Sequence, residues 1–409
     1  MKKPHLSIII PVLNLWEMTA ECLKSIKTHT PGSFYEVIVV DNGSADETSA
    51  ECPLLAEALF EDRYQYIRLP ENINFGPACN RGAQAAEGAL LFFLNNDTLL
   101  TKNWFKYLLE AFRHNPRVMG CSPLCLFPEN DRIQHLGIAF DGGLNVRHPY
   151  FLFPGDHPVT HRKRTFQALS AAAFMTPANV FNELGEFFPE YINGFEDMDL
   201  CCRIRKKRGI LVQENRSVIY HWASKTPGRN KFDAHNSRLI NKRCPGLFTP
   251  DLHKIILEDG FRCELTPWLE MILRDPDEIR MAELDLLSGE EELAEALHKY
   301  PLWENGYDRL AALYEQDGRI SKAADILFYG TSMFPAADRL ARLADLAEKS
   351  GADNISRQSR AKITSIKNTL AAPEGILRQA QDLMGWALEN KDRELAAIYK
   401  KWIQEYNKN

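Results

Sequence analysis

Apolar and polar positions divide this chain into two differently patterned halves. Through the first, short continuous apolar runs alternate with segments of helical spacing. Residues 6–11, 37–40 and 90–94 are such runs, and unbroken apolar strands are the mark of parallel sheets covered on both faces; residues 64–69 read as a further strand. Between them, Leu15, Met18, Cys22 and Ile26 recur at helical spacing over residues 15–30. Asn42, Gly43 and Ser44 supply a turn and a cap for a second helix, and residues 77–87 form a third. This β-α-β rhythm implies right-handed crossovers and a doubly wound, mostly parallel sheet. Residues 117–180 are less regular, and a loop-rich stretch of mixed sheet is expected there. A helix carrying Glu196, Asp197 and Asp199 follows, then strands at 210–212 and 218–220.

Beyond about residue 250 the β-branched runs give way to Leu, Ala, Glu, Lys and Arg at helical spacing. Tyr307, Leu310, Ala311, Tyr314, Ala323, Leu327, Gly330 and Pro335 resemble one tetratricopeptide repeat, in which small residues let two antiparallel helices pack closely. Repeats of this kind need neighbours to bury their faces, so residues 251–409 read as one helical, tetratricopeptide-like domain after an α/β domain at 1–250. An ordinary helical bundle is the alternative.

The chain's 409 residues suffice for two or three domains, and 45% hydrophobic with 25% charged residues is ordinary for a globular protein. A net charge of −6 disfavours generic nucleic-acid binding. Nine cysteines without metal-ligand spacing fit a reduced, cytoplasmic setting, and the neighbours Cys201 and Cys202 are improbable disulfide partners. No secretory pattern opens the sequence and no apolar run is long enough to span a bilayer, so at most peripheral contact with the inner face of a membrane is expected.

The candidate chemistry gathers at predicted strand ends. Asn95, Asn96 and Asp97 follow an apolar run abruptly, at the edge where open α/β sheets bind ligands. A carboxylate beside two amides suits a hard divalent cation that also holds phosphate oxygens; a helix cap is the plainer reading of Asp97. Asp41 ends a strand one β-α-β unit earlier, where it can accept from a base or ribose or simply build a turn. Asn74, Asn80 and Arg81 flank a helix start suited to anions. Glu196, Asp197 and Asp199 fan around a helix, so that one can serve as a base toward a hydroxyl while another caps. His221 follows a strand, as a metal or phosphate ligand or as a structural histidine. Lys225, Arg229, Lys231, Arg238, Lys242 and Arg243, with Gly228 as a hinge, suit a diphosphate, anionic headgroups or plain solvent.

Taken in order, residues 7–14 (SIIIPVLN), 39–44 (VVDNGS), 74–76 (NFG), 80–82 (NRG), 94–98 (LNNDT), 195–200 (FEDMDL) and His221 resemble glycosyltransferase family 2. These are inverting enzymes of the GT-A fold, and the likeness is to the rhamnosyltransferase-like bacterial branch. The resemblance implies transfer of a sugar from a UDP- or dTDP-linked donor to a glycan, lipid-linked saccharide or protein, in cell-surface polysaccharide biosynthesis. It implies Asp197, with Glu196, as the catalytic carboxylates and Asp97 with His221 as ligands of Mn²⁺ or Mg²⁺. Donor contacts fall to Pro11, Asn14, Asp41, Asn42, Ser44, Asn74, Asn80, Arg81, Asn95 and Asn96. Two departures from the family pattern stand out: Asn95 replaces the first Asp of the Asp-x-Asp motif, and residues 170–175 lack the usual Gly-Ala. The competing expectation is an inactive, glycosyltransferase-like scaffold whose helical domain recruits protein partners or a second copy. The Gly-rich loops of nucleotidyltransferases and dinucleotide oxidoreductases are missing.

Overall fold

The computed structural model describes residues 5–222 and 229–408. Two compact units divide the chain: residues 1–139, 148–151 and 158–249 form one, and residues 140–147, 152–157 and 250–409 the other.

The first unit opens with β1 (Leu6–Val12), α1 (Trp16–His29), β2 (Tyr35–Asp41), α2 (Thr48–Phe60), β3 (Tyr64–Arg68), α3 (Phe75–Ala85) and β4 (Leu90–Leu94). Every residue of β1, β2 and β4 is buried, which is why these strands read as unbroken apolar runs. The edge strand β3 is only partly buried and mixes Tyr, Gln and Arg into its sequence. Along the chain next come β5 (Thr98–Leu100), α4 (Trp104–His114), β6 (Val118–Leu126), β7 (Ile133–His135), β8 (Ala139–Phe140), β9 (Val146–Arg147), β10 (Arg164–Thr165) and β11 (Ala173–Pro177), of which β9 and Phe140 belong to the second unit. The first unit closes with α5 (Ala178–Glu183), α6 (Glu196–Lys206), β12 (Ile210–His221) and α7 (Asp233–Arg243).

Ten strands share one sheet in the order β10-β12-β6-β11-β4-β1-β2-β3, with β5 on β12 and β7 on β6. From β4 to β3 all pairs are parallel, whereas β11 runs antiparallel to β4 and β6. The chain moves outward from β1 to β2 and β3, then returns to place β4 on the opposite side of β1. That reversal is a topological switch point, and ligands bind outside the carboxyl ends of the strands that flank it. Packing holds this frame tightly. Phe92 of β4 stacks on the fully buried Trp104 with ring centroids 4.6 Å apart; burying each such side chain stabilises by about 1.5–3 kcal/mol. A Cβ on Gly82 would lie 2.5 Å from Ile9 Cγ2, so α3 can approach β1 only because that position has no side chain.

Two expectations change here. Residues 210–221 form one strand, not two, because a register shift between Glu214 and Val218 carries the polar Asn215 and Arg216 through it. The cysteines are not all free thiols either. Cys202 on α6 and Cys244, just after α7, form a disulfide with Cα atoms 6.4 Å apart. Their 42-residue separation hides a pairing that helix packing creates.

The second unit holds α8 (Leu252–Glu258), a hairpin of β13 (Arg262–Leu265) and β14 (Met271–Arg274), and then eight helices among the described residues. They are α9 (Glu278–Leu284), α10 (Glu290–Lys299), α11 (Glu304–Gln316), α12 (Ile320–Met333), α13 (Ala337–Lys349), α14 (Asp353–Leu370), α15 (Pro373–Glu389) and α16 (Arg393–Tyr406). The hairpin corrects the expectation that strands end at residue 250. Its first strand, Arg-Cys-Glu-Leu, is only partly buried and carries no long apolar run. Between α11 and α12, a Cβ on Gly330 would lie 2.8 Å from Tyr307 Cβ, so a small residue is required at that crossing. Among the described residues, no helix is long and apolar enough to cross a membrane.

Candidate active site

The carboxyl ends of β1, β2 and β4 are laced together by polar side chains. Asp41 ends β2 fully buried, with Oδ1 accepting from the Ser44 backbone N–H at 2.8 Å. Its Oδ2 accepts from the Tyr66 hydroxyl at 2.6 Å and pairs with Arg68. Burial, then the Asp41 carboxylate, push the Tyr66 phenol up, so Tyr66 stays a donor. Ser44 Oγ accepts from Asn14 N at 2.8 Å, and Asn14 Oδ1 accepts from Ala45 N at 2.8 Å. These bonds hold the β1 and β2 loops against each other. Pro11 is buried within β1 opposite Val40. Asn42 is turned toward the next loop, with Oδ1 accepting from Ile73 N at 2.9 Å and Nδ2 donating to Asn72 Oδ1 at 3.0 Å and to the Asn74 carbonyl at 3.3 Å.

Asn95, Asn96 and Asp97 extend this lacing past β4. Asn96 Nδ2 donates to Thr19 Oγ1 at 2.9 Å and to the Asn14 carbonyl at 3.3 Å, which joins the β4 edge to the β1 loop. Asp97 is buried, and its Oδ1 lies 3.1 Å from His221 Nε2. Register explains the meeting: β12 runs antiparallel to β5, with His221 opposite Thr98. Asn95 Nδ2 stands 3.3 Å from the same Nε2.

The acidic run at α6 sorts into three environments. Asp199 is fully buried between Arg203, 2.7 Å away, and Arg243, 2.6 Å away, with the Tyr191 hydroxyl donating at 3.3 Å. It is a structural ion pair that fastens α6 to α7. Glu196 is buried and turned back, its Oε2 accepting from Gly194 N at 2.7 Å. Asp197 is half-buried; its Oδ2 accepts from Ala171 N at 3.1 Å and its Oδ1 from Met198 N at 2.8 Å. One residue on, the Ala172 carbonyl accepts from Asn95 N at 2.9 Å. Residues 171–172 therefore bridge the base of α6 to the β4 edge, and Asp197 shares that edge with Asp97 and His221.

The far side of the ring closes through α3. Asn193 Oδ1 accepts from Phe75 N at 3.0 Å, and Asn80 makes a paired contact with the Phe187 backbone at 2.8 and 3.0 Å. Asn80 thus braces the loop before α6, while Arg81 is exposed on α3. Asn14, Leu15, Asn74, Asn193 and Phe195 all hold positive φ, between 46° and 74°. Strained backbone of this kind costs about 1–3 kcal/mol each and persists where the surroundings over-determine it; here it rims the candidate site.

Sequence reading missed two residues of β7. Gln134 bonds His221 at two points, and His135 accepts from Ser170 N at 3.3 Å beside the bridging segment. Burial, then His148 and His221 nearby, hold the His135 imidazole well below its ordinary value, so it is neutral. Its Nδ1 lies 3.0 Å from His148 Nδ1. A three-residue strand inside an irregular region gave no signal for either. Of the basic stretch, Arg243 is committed to Asp199, Lys231, Arg238 and Lys242 are exposed, and Lys225 and Gly228 lie outside the described residues.

Residues 7–176 match the sequence profile of Glycosyl transferase family 2. That segment is thus similar to glycosyl transferase family 2. The match to this family ends before α6 and β12, so Asp197 and His221 lie beyond it. An uncharacterized protein, y4gI, of Sinorhizobium fredii is 26% identical over 231 residues, 55% of this chain and 25% of its own length. The O-antigen biosynthesis protein RfbC of Myxococcus xanthus is 26% identical over 232 residues, 54% of this chain and 18% of its own. The chain thus spans a quarter or less of these curated relatives. Among solved structures, GalNAc-T7 with UDP, GalNAc and Mn²⁺ aligns with a TM-score of 0.45 at 18% identity, covering 54% of this chain and 44% of that one.

Proposed function

We propose that this protein is an inverting glycosyltransferase that moves a sugar from a UDP- or dTDP-linked donor to a hydroxyl of a glycan, lipid-linked saccharide or protein. The observation that carries the reading is the shared edge: Asp97 stands beside His221, and the backbone of residues 171–172 ties Asp197 to Asn95 of the same edge. Asp97 and His221 are the residues that would hold Mn²⁺ or Mg²⁺. Their donor atoms stand 3.1 Å apart, close to the edge of about 3 Å between neighbouring ligands around such ions. When bound, the cation neutralises charge on the departing nucleoside diphosphate.

Asp197 takes the proton from the acceptor hydroxyl as that oxygen bonds to the anomeric carbon. The bond from that carbon to the phosphate oxygen breaks on the opposite face, and the diphosphate leaves with the electron pair. Asp197 suits this part because it is the least buried of the three α6 carboxylates and Asp199 is already neutralised by two arginines. The lacing of Asn14, Asn42, Ser44, Asn74, Asn80, Asn95 and Asn96, with buried Pro11 and Asp41, holds the loops around the donor, and the exposed Arg81 is the cation offered to its charge. Glu196 fixes the turn that aims Asp197. The domain ends near residue 250, and residues 251–409 act as a tetratricopeptide-like adaptor for a protein partner or a second copy, which the close crossing at Gly330 supports. We place the reaction in bacterial cell-surface polysaccharide synthesis at the cytoplasmic face.

The test counts nucleoside diphosphate released from a panel of UDP- and dTDP-sugars. Wild type should release it, and Asp197→Asn should slow release about 10²- to 10⁴-fold while still binding donor. Equal rates in the two proteins would remove Asp197 from the reaction.

A further inference from the structure

Gln134 grips His221 at two points. Its Nε2 donates to the His221 carbonyl at 2.6 Å, and its Oε1 stands 2.5 Å from His221 Nδ1. These two contacts determine each other. A backbone carbonyl only accepts, so the amide nitrogen must face it and the amide oxygen must face the ring. That oxygen also only accepts, so Nδ1 carries the hydrogen. The remaining ring nitrogen, Nε2, then faces Asp97 Oδ1 at 3.1 Å and Asn95 Nδ2 at 3.3 Å.

We propose that Gln134 is a positioning residue that selects the Nδ1–H tautomer of His221 and so presents Nε2, together with Asp97, as a preformed donor pair for a divalent cation. The inference rests on the metal role given above to Asp97 and His221. Topology shows how a residue 87 positions away comes to do this. β7 and β12 both pair with β6, and Leu126 at the end of β6 stands opposite Ile133 on one and Tyr220 on the other. β12 runs parallel to β6, so His221 is the first residue past the end of β6; β7 runs antiparallel, with His135 opposite Cys125, and Gln134 occupies the irregularity between the two pairs, where its side chain reaches His221. Both are buried, at 8% and 4% exposure, so water is poorly placed to replace the amide. Asn95 Nδ2, a donor, favours the same bare Nε2, whereas the Asp97 carboxylate only accepts and pulls for a hydrogen there, so Gln134 is what holds the hydrogen at Nδ1. An outer partner of a metal-binding histidine typically sets metal affinity by about 10- to 100-fold.

The test uses the full chain with ¹⁵N-labelled histidine, His221 being assigned by its loss in His221→Gln. Two substitutions separate the contacts: Gln134→Met removes both, and Gln134→Glu keeps the acceptor for Nδ1–H. In metal-free wild type the His221 nitrogen shifts should report a single Nδ1–H tautomer. Gln134→Met should mix the tautomers and weaken Mn²⁺ binding, read by electron paramagnetic resonance, by about 10- to 100-fold. Gln134→Glu should keep the tautomer and bind Mn²⁺ within a few-fold of wild type. An Nε2–H tautomer in wild type, or a Gln134→Met protein with unchanged tautomer and Mn²⁺ affinity, would overturn the inference. Failure of the metal reading looks different: wild type would bind no Mn²⁺ that Asp97→Ala abolishes, while the tautomer shift would still judge Gln134. A purely structural Gln134 would lower the melting temperature without moving the nitrogen shifts.

Discussion

Among the described residues, two buried histidine–aspartate pairs have the same separation, one in each unit. His221 Nε2 lies 3.1 Å from Asp97 Oδ1, and His253 Nε2 lies 3.1 Å from Asp392 Oδ1. Their surroundings differ. Asp392 is already occupied by the chain's own groups: Lys254 pairs with it at 2.9 Å, and it caps α16 through Leu395 N at 3.1 Å. His253 Nδ1 is buried and has no hydrogen-bond partner among the described residues, so nothing fixes its ring from behind. His221, in contrast, is held from behind by Gln134 and stands among the amides of a sheet edge. Equal pair geometry thus serves two ends, one closing a helical unit and the other presenting donor atoms. Glu394 stands close enough to His253 and Asp392 to complete a three-residue metal cluster, but Lys254 supplies the positive charge that Asp392 needs.

The comparison breaks first at Asp392. Leaving the buried His253 Nε2 without its partner costs about 1–3 kcal/mol, and the loss of the α16 cap adds about 0.5–2 kcal/mol. Asp392→Ala should therefore show a large loss of stability in denaturant unfolding while Mn²⁺ binding at the other pair persists. Lost Mn²⁺ binding with unchanged stability would reverse the roles assigned to the two pairs.

A smaller effect sharpens the contrast through pH. Burial holds His253 below its ordinary 6.5, outweighing the opposing pull of Asp392. The unfolded chain then takes up a proton near pH 6.5 that the folded chain refuses. Stability is therefore full above that pH and falls as pH drops toward the folded value, by at most about 1.4 kcal/mol per pH unit. His135, also lowered, adds a slope of the same sign, so the difference between wild type and His253→Gln isolates His253. Asp392 is lowered from 3.8, and its contribution is lost only at lower pH, outside this window. Identical slopes in the two proteins would contradict the burial of a neutral His253.

What the sequence made legible follows from where the physics is local. β1, β2 and β4 declared themselves because a strand buried on both faces must be apolar throughout. Asn95, Asn96 and Asp97 were visible because three polar residues ending such a run have few places to be other than its edge. Asp197 and Asp199 were not separable, because identical side chains two positions apart acquire their roles from Ala171 and from Arg203 and Arg243. Gln134 stayed hidden because its partner arrives through pairing with β6, across 87 residues. The β13–β14 hairpin was missed because its half-buried strands mix charged and apolar residues without a clean alternation.

The most direct test of the account is calorimetric binding of UDP and dTDP, each with and without Mn²⁺, to wild type and Asp97→Ala. The account predicts metal-dependent binding of at least one nucleotide by wild type and its loss in the variant. Binding of neither nucleotide under either condition, or binding indifferent to both Mn²⁺ and Asp97, would contradict it.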